Sequence, residues 1–327
     1  MTKIINPHDK LFRETWQNKD IAIDFLENYL PADILSLTDL DTIEISKDSF
    51  IEDDLKDFFS DLLYKVQLGQ QEGFIYILFE HKSYKDNHIH IQMLEYMIKI
   101  WRLHQKQIKT DALPIVIPLV LYHGSKRWEI DTRFSSMFSG PSEKLSNYIP
   151  DFNLIFYNLA KYSDEQIKGE ILTRVVLLLF KHIFDTDIKD KLPGIIALLD
   201  DLMKEDTGLK YFEVLLRYIF STIDNITVND IKNIVEQSLT DVDGEKIMTL
   251  AEQLRNEGFE KGKLEGKLEG ILEGIEMAIM MKFGVGSKSQ KLMGQIKNIT
   301  DLDQIKQIKT SIMESENLSD LFSKLTE

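Results

Sequence analysis

Residues 61–96 read DLLYKVQLGQQEGFIYILFEHKSYKDNHIHIQMLEY, and this stretch decides the fold. Leu62–Leu68 alternates, with Tyr64, Val66 and Leu68 on one face and Leu63, Lys65 and Gln67 on the other. That is the period of a half-buried strand. Phe74–Phe79 is an almost continuous apolar run, as expected of a central strand covered on both sides. Between them, Gly69-Gln-Gln-Glu-Gly73 reads as a turn with glycine at each end. From Ile89 to His104 the pattern becomes helical through Met93, Met97, Ile100 and Trp101. The predicted order is strand, turn, strand, helix.

That order places chemistry. Asp61 opens the first strand and Glu80-His81-Lys82 closes the second, so the hairpin is expected to gather Asp61, Glu80 and Lys82 at its open end. Glu80 and Lys82 share a face by alternation, while His81 points away and offers its backbone carbonyl. Two carboxylates and a carbonyl are hard oxygen ligands suited to Mg²⁺, which keeps several waters. A neighbouring lysine orients an attacking water, and the ion offsets charge building on phosphorus. The pattern points to metal-dependent phosphodiester hydrolysis. The plainer alternative is a strand-end salt bridge from Lys82 to Glu80 or Asp61. Other acid-x-Lys triplets occur at Asp54, Asp187 and Glu265, but none of them follows such a strand pair. Gln92 and Tyr96 are four residues apart, hence on one helix face, which the hairpin should direct toward the same end. For Tyr96 taken alone, plain packing is the better account.

The rest of the chain supports a soluble setting. Its 327 residues, 43% hydrophobic and 28% charged, suffice for one large or two modest domains. The absence of cysteine excludes disulfides, thiolate zinc sites and cysteine nucleophiles, and fits a reducing cytoplasm. The opening MTKIINPHDKLFRETW lacks the apolar core of a signal peptide. Leu113–Tyr122 and Val175–Phe180 are too short to span a bilayer, so a cytoplasmic protein without membrane partners is expected. A net charge of −15 disfavours nucleic acid as a partner of the whole surface. Between His81 and Thr110, however, Lys82, Lys85, Lys99, Arg102, Lys106 and Lys109 face only Asp86 and Glu95. Two readings fit that patch: a grip on phosphate, or a solvated helix face. His88 and His90 diverge on a helix and lack a third ligand, so zinc is not expected.

Outside the central stretch, residues 8–30 carry apolar positions at helical spacing up to Pro31, near which a second helix starts. Residues 32–58 are acidic. LPIVIPLVLY at 113–122 reads as a buried strand whose two prolines limit its pairing, and Tyr122-His-Gly124 as its closing turn. Asn153–Leu159 suggests one more strand, and Ser163–Gln253 is helical. In EGFEKGKLEGKLEGILEG a glycine recurs at 258, 262, 266, 270 and 274. On a helix these glycines form a stripe drifting about 40° per step, each costing about 1 kcal/mol relative to alanine. The repeat reads either as a self-association helix making a homo-oligomer or as a flexible spacer. The expected organisation is a core over 1–160, a helical extension over 161–255, the repeat over 256–275 and a small helical tail over 276–327.

PHDKLFRE at 7–14, DLLYKV at 61–66, LFEHKS at 78–83, LEYMIKIWR at 94–102 and LPIVIPLVLYHG at 113–124 resemble, in the same order, the Rpn family of recombination-promoting nucleases, or YhgA-like proteins. The resemblance covers most of residues 5–250. It implies an α/β fold with a restriction-endonuclease-like PD-(D/E)xK core, a mixed central sheet flanked by helices. It also implies Mg²⁺-dependent DNA endonuclease activity that promotes recombination. Carried over, Asp61, Glu80 and Lys82 form the active site with Gln92 in support, and Asp61, Glu80 and the His81 carbonyl hold the metal. Gln92-x-x-x-Tyr96 matches the RecB-like branch of these nucleases. Many relatives read Glu-His-Gln at the triplet, whereas Lys82 stands nearer the general nuclease pattern. His8 and Asp9 match an N-terminal His-Asp pair of supporting residues, with a helix cap by Asp9 as the simpler reading. No helix-turn-helix or zinc finger favours transposition over cleavage. The alternative function is a catalytically inactive nuclease fold that binds DNA or protein.

Overall fold

The computed structural model describes residues 6–46, 62–80, 88–124, 128–140, 144–204, 206–240, 244–296, 299 and 302–326. The chain forms two compact units, one over Ile5–Ala251 and one over Glu252–Glu327.

The first unit is organised by a mixed sheet of β1 (Thr38–Ile45), β2 (Leu62–Leu68), β3 (Gln71–Glu80), β4 (Ile115–Tyr122) and β5 (Ile155–Asn158), in that spatial order. The β1/β2 and β2/β3 pairs are antiparallel, and the β3/β4 and β4/β5 pairs are parallel. The apolar run 74–79 therefore lies in the middle strand. Helix α4 (Ile89–Ile108) carries the chain back between the parallel strands β3 and β4, the crossover that such a pair requires.

The hairpin turn is shorter than the sequence suggests. Leu68 already pairs with Gln71, leaving only Gly69 and Gln70 in the loop. Gly69 takes a φ of 64°, the left-handed conformation that a tight two-residue hairpin demands of its first residue. Gly73 belongs to β3, where a Cβ would collide with the Leu68 side chain. In β4, Pro118 sits one residue before β5 starts to pair at Leu119, so on that side the strand is still an edge where proline is tolerated.

Helices cover both sheet faces. On one side α4 sends Ile89, Met93, Tyr96 and Met97 into a core with Phe74, Val116, Val120, Tyr122, Trp128 and Leu154. On the other, the side chains of Leu62, Tyr64, Val66, Ile75, Leu119 and Leu121 are buried, and Tyr64 reaches the N-terminal helices. The Tyr64 hydroxyl donates to the Trp16 carbonyl at 2.7 Å across that contact. Residues 8–30 are not one helix but two, α1 (Pro7–Trp16) and α2 (Lys19–Tyr29). Asn18 breaks the pattern because its side chain caps α2, accepting from the amides of Asp20 and Ile21. The helix expected near Pro31 is the single turn α3 (Ala32–Leu35).

Strand β1 was not expected in the acidic stretch. Its register shifts between Asp39 and Glu44, and its two buried residues, Leu40 and Ile43, lie three apart. A bulge of this kind removes the two-residue alternation by which strands are recognised.

Four longer helices complete the unit: α5 (Ile171–His182), α6 (Ile188–Ala197), α7 (Asp206–Thr222) and α8 (Val228–Ser238). Val175–Phe180 is buried throughout, which marks α5 as an interior helix. The second unit joins the end of α9 (Gly244–Phe283) to α10 (Ser287–Ile296), α11 (Leu302–Glu314) and α12 (Leu318–Thr326). Ile275, Ile279, Leu292, Ile296, Ile305, Ile308, Ile312 and Leu321 make its own core. The glycine repeat is helical, lying wholly within α9, and nothing stands within 4 Å of where a Cβ would sit at Gly258, Gly262, Gly266, Gly270 or Gly274. Among the described residues no helix is long and apolar enough to cross a membrane.

Candidate functional site

The β3/β4 register fixes where the candidate carboxylate Glu80 falls. Glu80 is the last residue of β3 and pairs with Tyr122, the last residue of β4. It therefore stands at the carboxyl ends of the parallel strands, the edge where ligands bind in open α/β sheets. At the same end of the hairpin, Leu62 pairs with Ile77. Asp61, His81 and Lys82 lie outside the described residues, Asp61 next to Leu62 in sequence and the other two directly after Glu80. Among the described residues no group of three or more His, Asp or Glu is arranged to hold a metal ion. Of the donors predicted for Mg²⁺, the backbone of Glu80 is described, whereas Asp61 and the His81 carbonyl lie outside the described residues. Carboxylate and carbonyl oxygens are the chemistry that ion requires.

Two side-chain bonds fix the rotation of α4. Near its start, the His90 Nε2 lies 2.7 Å from the Asp131 carbonyl. Toward its far end, the Trp101 indole donates to the Pro114 carbonyl at 2.9 Å, just before β4. His90 is thus a buried anchor. With the helix so held, Gln92 is half-buried and Tyr96 is 6% exposed within the α4 core. Tyr96 packs against the sheet-side cluster, and the Lys99 Nζ lies 5.7 Å from its ring centre.

His8 and Asp9 fall in the first turn of α1, but neither caps it. The cap is Asn6, whose side chain accepts from the His8 amide at 3.0 Å, with Pro7 at the first helical position. Asp9 is left as an acidic residue in the first turn, favourable to the helix dipole. The His8 Nδ1 lies 2.8 Å from the Tyr218 hydroxyl of α7, and its ring centre 4.9 Å from that of His123. His123, 2% exposed, follows directly on Tyr122 and packs against Phe180 and Phe184. Burial pushes the Tyr218 phenol well above its usual range, so it stays protonated as a hydrogen-bond partner for His8. This aromatic cluster joins α1, α5 and α7 to the end of β4. The sequence places His123 in a closing turn, but Tyr218 has no local signal because it lies 210 residues from His8.

A second polar cluster was also not foreseen. The His182 Nδ1 lies 2.7 Å from Asp185 and its Nε2 2.8 Å from Asp164. Lys181 pairs with Asp164, and Lys191 pairs with Asp185 at 2.6 Å. Partial burial raises the Asp164 carboxyl, but hydrogen bonds from Lys181 and His182 outweigh it and hold the group below the usual carboxylate range. Asp185 behaves alike, burial being outweighed by bonds from Lys191 and His182. The spacing of His182 and Asp185 was visible in sequence, but the partnership with Asp164 was not.

Sequence comparison places this geometry among known proteins. Residues 6–243 match the family described as "Putative transposase, YhgA-like". The chain is 32% identical over 279 residues to the recombination-promoting nuclease RpnA of Escherichia coli strain K12, covering 85% of this chain and 93% of that protein. It is 29% identical over 254 residues to the recombination-promoting nuclease RpnD of Escherichia coli O157:H7, covering 77% of this chain and 95% of the relative. It is also 29% identical over 259 residues to RpnE of strain K12, named an inactive recombination-promoting nuclease-like protein, covering 79% and 84%. No solved structure matches the chain significantly. With its mixed five-stranded sheet, flanking helices and helical C-terminal half, this chain belongs to the YhgA-like family of recombination-promoting nucleases and their relatives.

Proposed function

We propose that this chain is a Mg²⁺-dependent DNA endonuclease that promotes recombination by hydrolysing phosphodiester bonds. One observation carries the reading: β3 ends on Glu80 at the carboxyl edge of the central parallel pair, between the hairpin that starts after Asp61 and the helix that bears Gln92. Glu80, Asp61 and the His81 carbonyl are the groups that would hold the metal. A bound Mg²⁺ would neutralise phosphate charge and acidify a water. Lys82 would orient a water toward phosphorus and favour its deprotonated form. Gln92, half-buried beside the core, supports the site from α4. Membership of a family whose relatives RpnA and RpnD are named nucleases supports the same chemistry.

The second reading is a nuclease fold kept for binding DNA or protein, and it is favoured by the similar identity to RpnE, a relative named inactive. The two separate in one assay. Purified protein is incubated with supercoiled plasmid in Mg²⁺ or in chelator, beside the variants Asp61→Ala and Lys82→Ala. Nicking that requires Mg²⁺ and disappears in both variants supports the endonuclease. Absence of nicking by the unaltered protein supports the binding reading.

A further inference from the structure

We infer that the outward face of α4 is a duplex-DNA surface, a row of cations that takes the phosphate backbone as it runs away from Glu80. The inference rests on the nuclease reading for the identity of the polyanion, and on the structure for the surface.

The anchors at His90 and Trp101 turn the apolar strip of α4 toward the sheet, and the outward residues follow from the helical period. At about 100° per residue, Gln92, Lys99 and Lys106 line up within about 40°, each seven residues from the next. Arg102 lies about 60° further round, and Lys109 follows the helix end as its left-handed C-cap. Arg102, Lys106 and Lys109 are exposed, and Lys99 is half-buried against Tyr96. The whole chain carries a net charge of −15, yet residues 89–109 hold Lys99, Arg102 and Lys106 on the helix and Lys109 at its C-cap, with Glu95 as the one acid in that stretch of sequence. From Lys99 to Lys109 the stripe covers about 15 Å, the axial length of about four phosphates on one DNA strand. It begins two turns beyond Gln92, so a backbone held there leads back to the β3 end.

The ordinary explanation for such cations is the helix dipole, which favours positive charge in the last turn. It covers Lys106 and Lys109 only. Arg102 stands more than a turn before the helix end at Ile108, and Lys99 further still.

The test is binding, not cleavage, so it does not stand or fall with catalysis. A fluorescein-labelled duplex of about 20 base pairs is titrated with the full chain in chelator across a range of salt, and anisotropy gives the affinity. The triple variant Arg102→Gln/Lys106→Gln/Lys109→Gln is compared with Arg255→Gln/Lys263→Gln/Lys267→Gln, which removes the same charge from exposed positions on α9. Each lost phosphate contact lowers the slope of log affinity against log salt by about 0.9. The α4 variant should lose about three from that slope and bind about two orders of magnitude more weakly at 0.1 M salt. The α9 variant should keep the original slope. Equal slopes for the α4 variant and the unaltered chain, equal losses in both charge variants, or preference for an RNA duplex would overturn the surface. Loss of nicking activity everywhere with the slope difference intact would instead sink the endonuclease reading and leave the surface standing.

Discussion

The two faces of the central sheet are built for different ends. Beneath the N-terminal helices the packing is aromatic and continuous: Trp16 lies 5.0 Å from Phe12, 5.3 Å from Phe25 and 6.2 Å from Phe180 between ring centres. That face ends in the His8, His123 and Tyr218 cluster, in which His123 and Tyr218 are buried and His8 is half-buried. Beneath α4 only the inner strip is apolar, and the same helix turns Gln92 and a row of cations outward. One face holds the fold together, and the other is the face proposed to meet DNA. Substitutions should therefore separate into those that lower stability and those that change DNA chemistry.

The largest expected stability effect is at Trp16, which is 1% exposed amid those rings. Trp16→Ala should destabilise the chain by about 3–5 kcal/mol, read by chemical denaturation, with activity falling only as folded protein is lost. A loss under about 1 kcal/mol would mean that this face does not dominate stability. Next comes Tyr218→Phe, which keeps the ring and removes one hydrogen bond to His8. The expected cost is about 0.5–1.5 kcal/mol. Because the cluster borders the end of β4, nicking should weaken more in kcat than in KM. An unchanged kcat at unchanged stability would confine the cluster to packing.

The smallest effect is pH-dependent. Asp164 and Asp185 are held below their ordinary value of 3.8, so the unfolded state binds more protons as acid is added. Their contribution is complete above that value and disappears as pH falls through the lowered folded values. Melting temperatures of the unaltered chain and of Asp164→Asn/Asp185→Asn should differ fully near pH 6 and converge below about pH 3.8. A gap that persists into strong acid would remove the linkage.

Much of this architecture was written locally. Strands β2, β3 and β4, helix α4 and the C-terminal helices each carry their burial pattern within a dozen residues, where side-chain period alone identifies them. Strand β1 was hidden because its bulge spaces Leu40 and Ile43 like a helix. The break at Asn18 was hidden because apolar spacing runs on through a cap. Gly73 passed for a turn residue because a strand glycine and a turn glycine look alike until Leu68 fills the vacant Cβ space. For the site, the hairpin order pointed to Glu80 at the strand end, and the register places it opposite Tyr122. What local pattern could not supply were the long-range partners: Tyr218 for His8, Asp164 for His182, and the carbonyls of Asp131 and Pro114 that set the rotation of α4.

Replacement of Glu80 by glutamine reaches the heart of the matter. Glu80→Gln keeps size and β propensity while removing the charge that a divalent ion needs. Single-turnover nicking of supercoiled plasmid in Mg²⁺ should fall by about 10²–10³-fold, the scale of losing one transition-state electrostatic group, with the melting temperature unchanged. Equal nicking rates for Glu80→Gln and the unaltered chain would contradict a metal site at the end of β3.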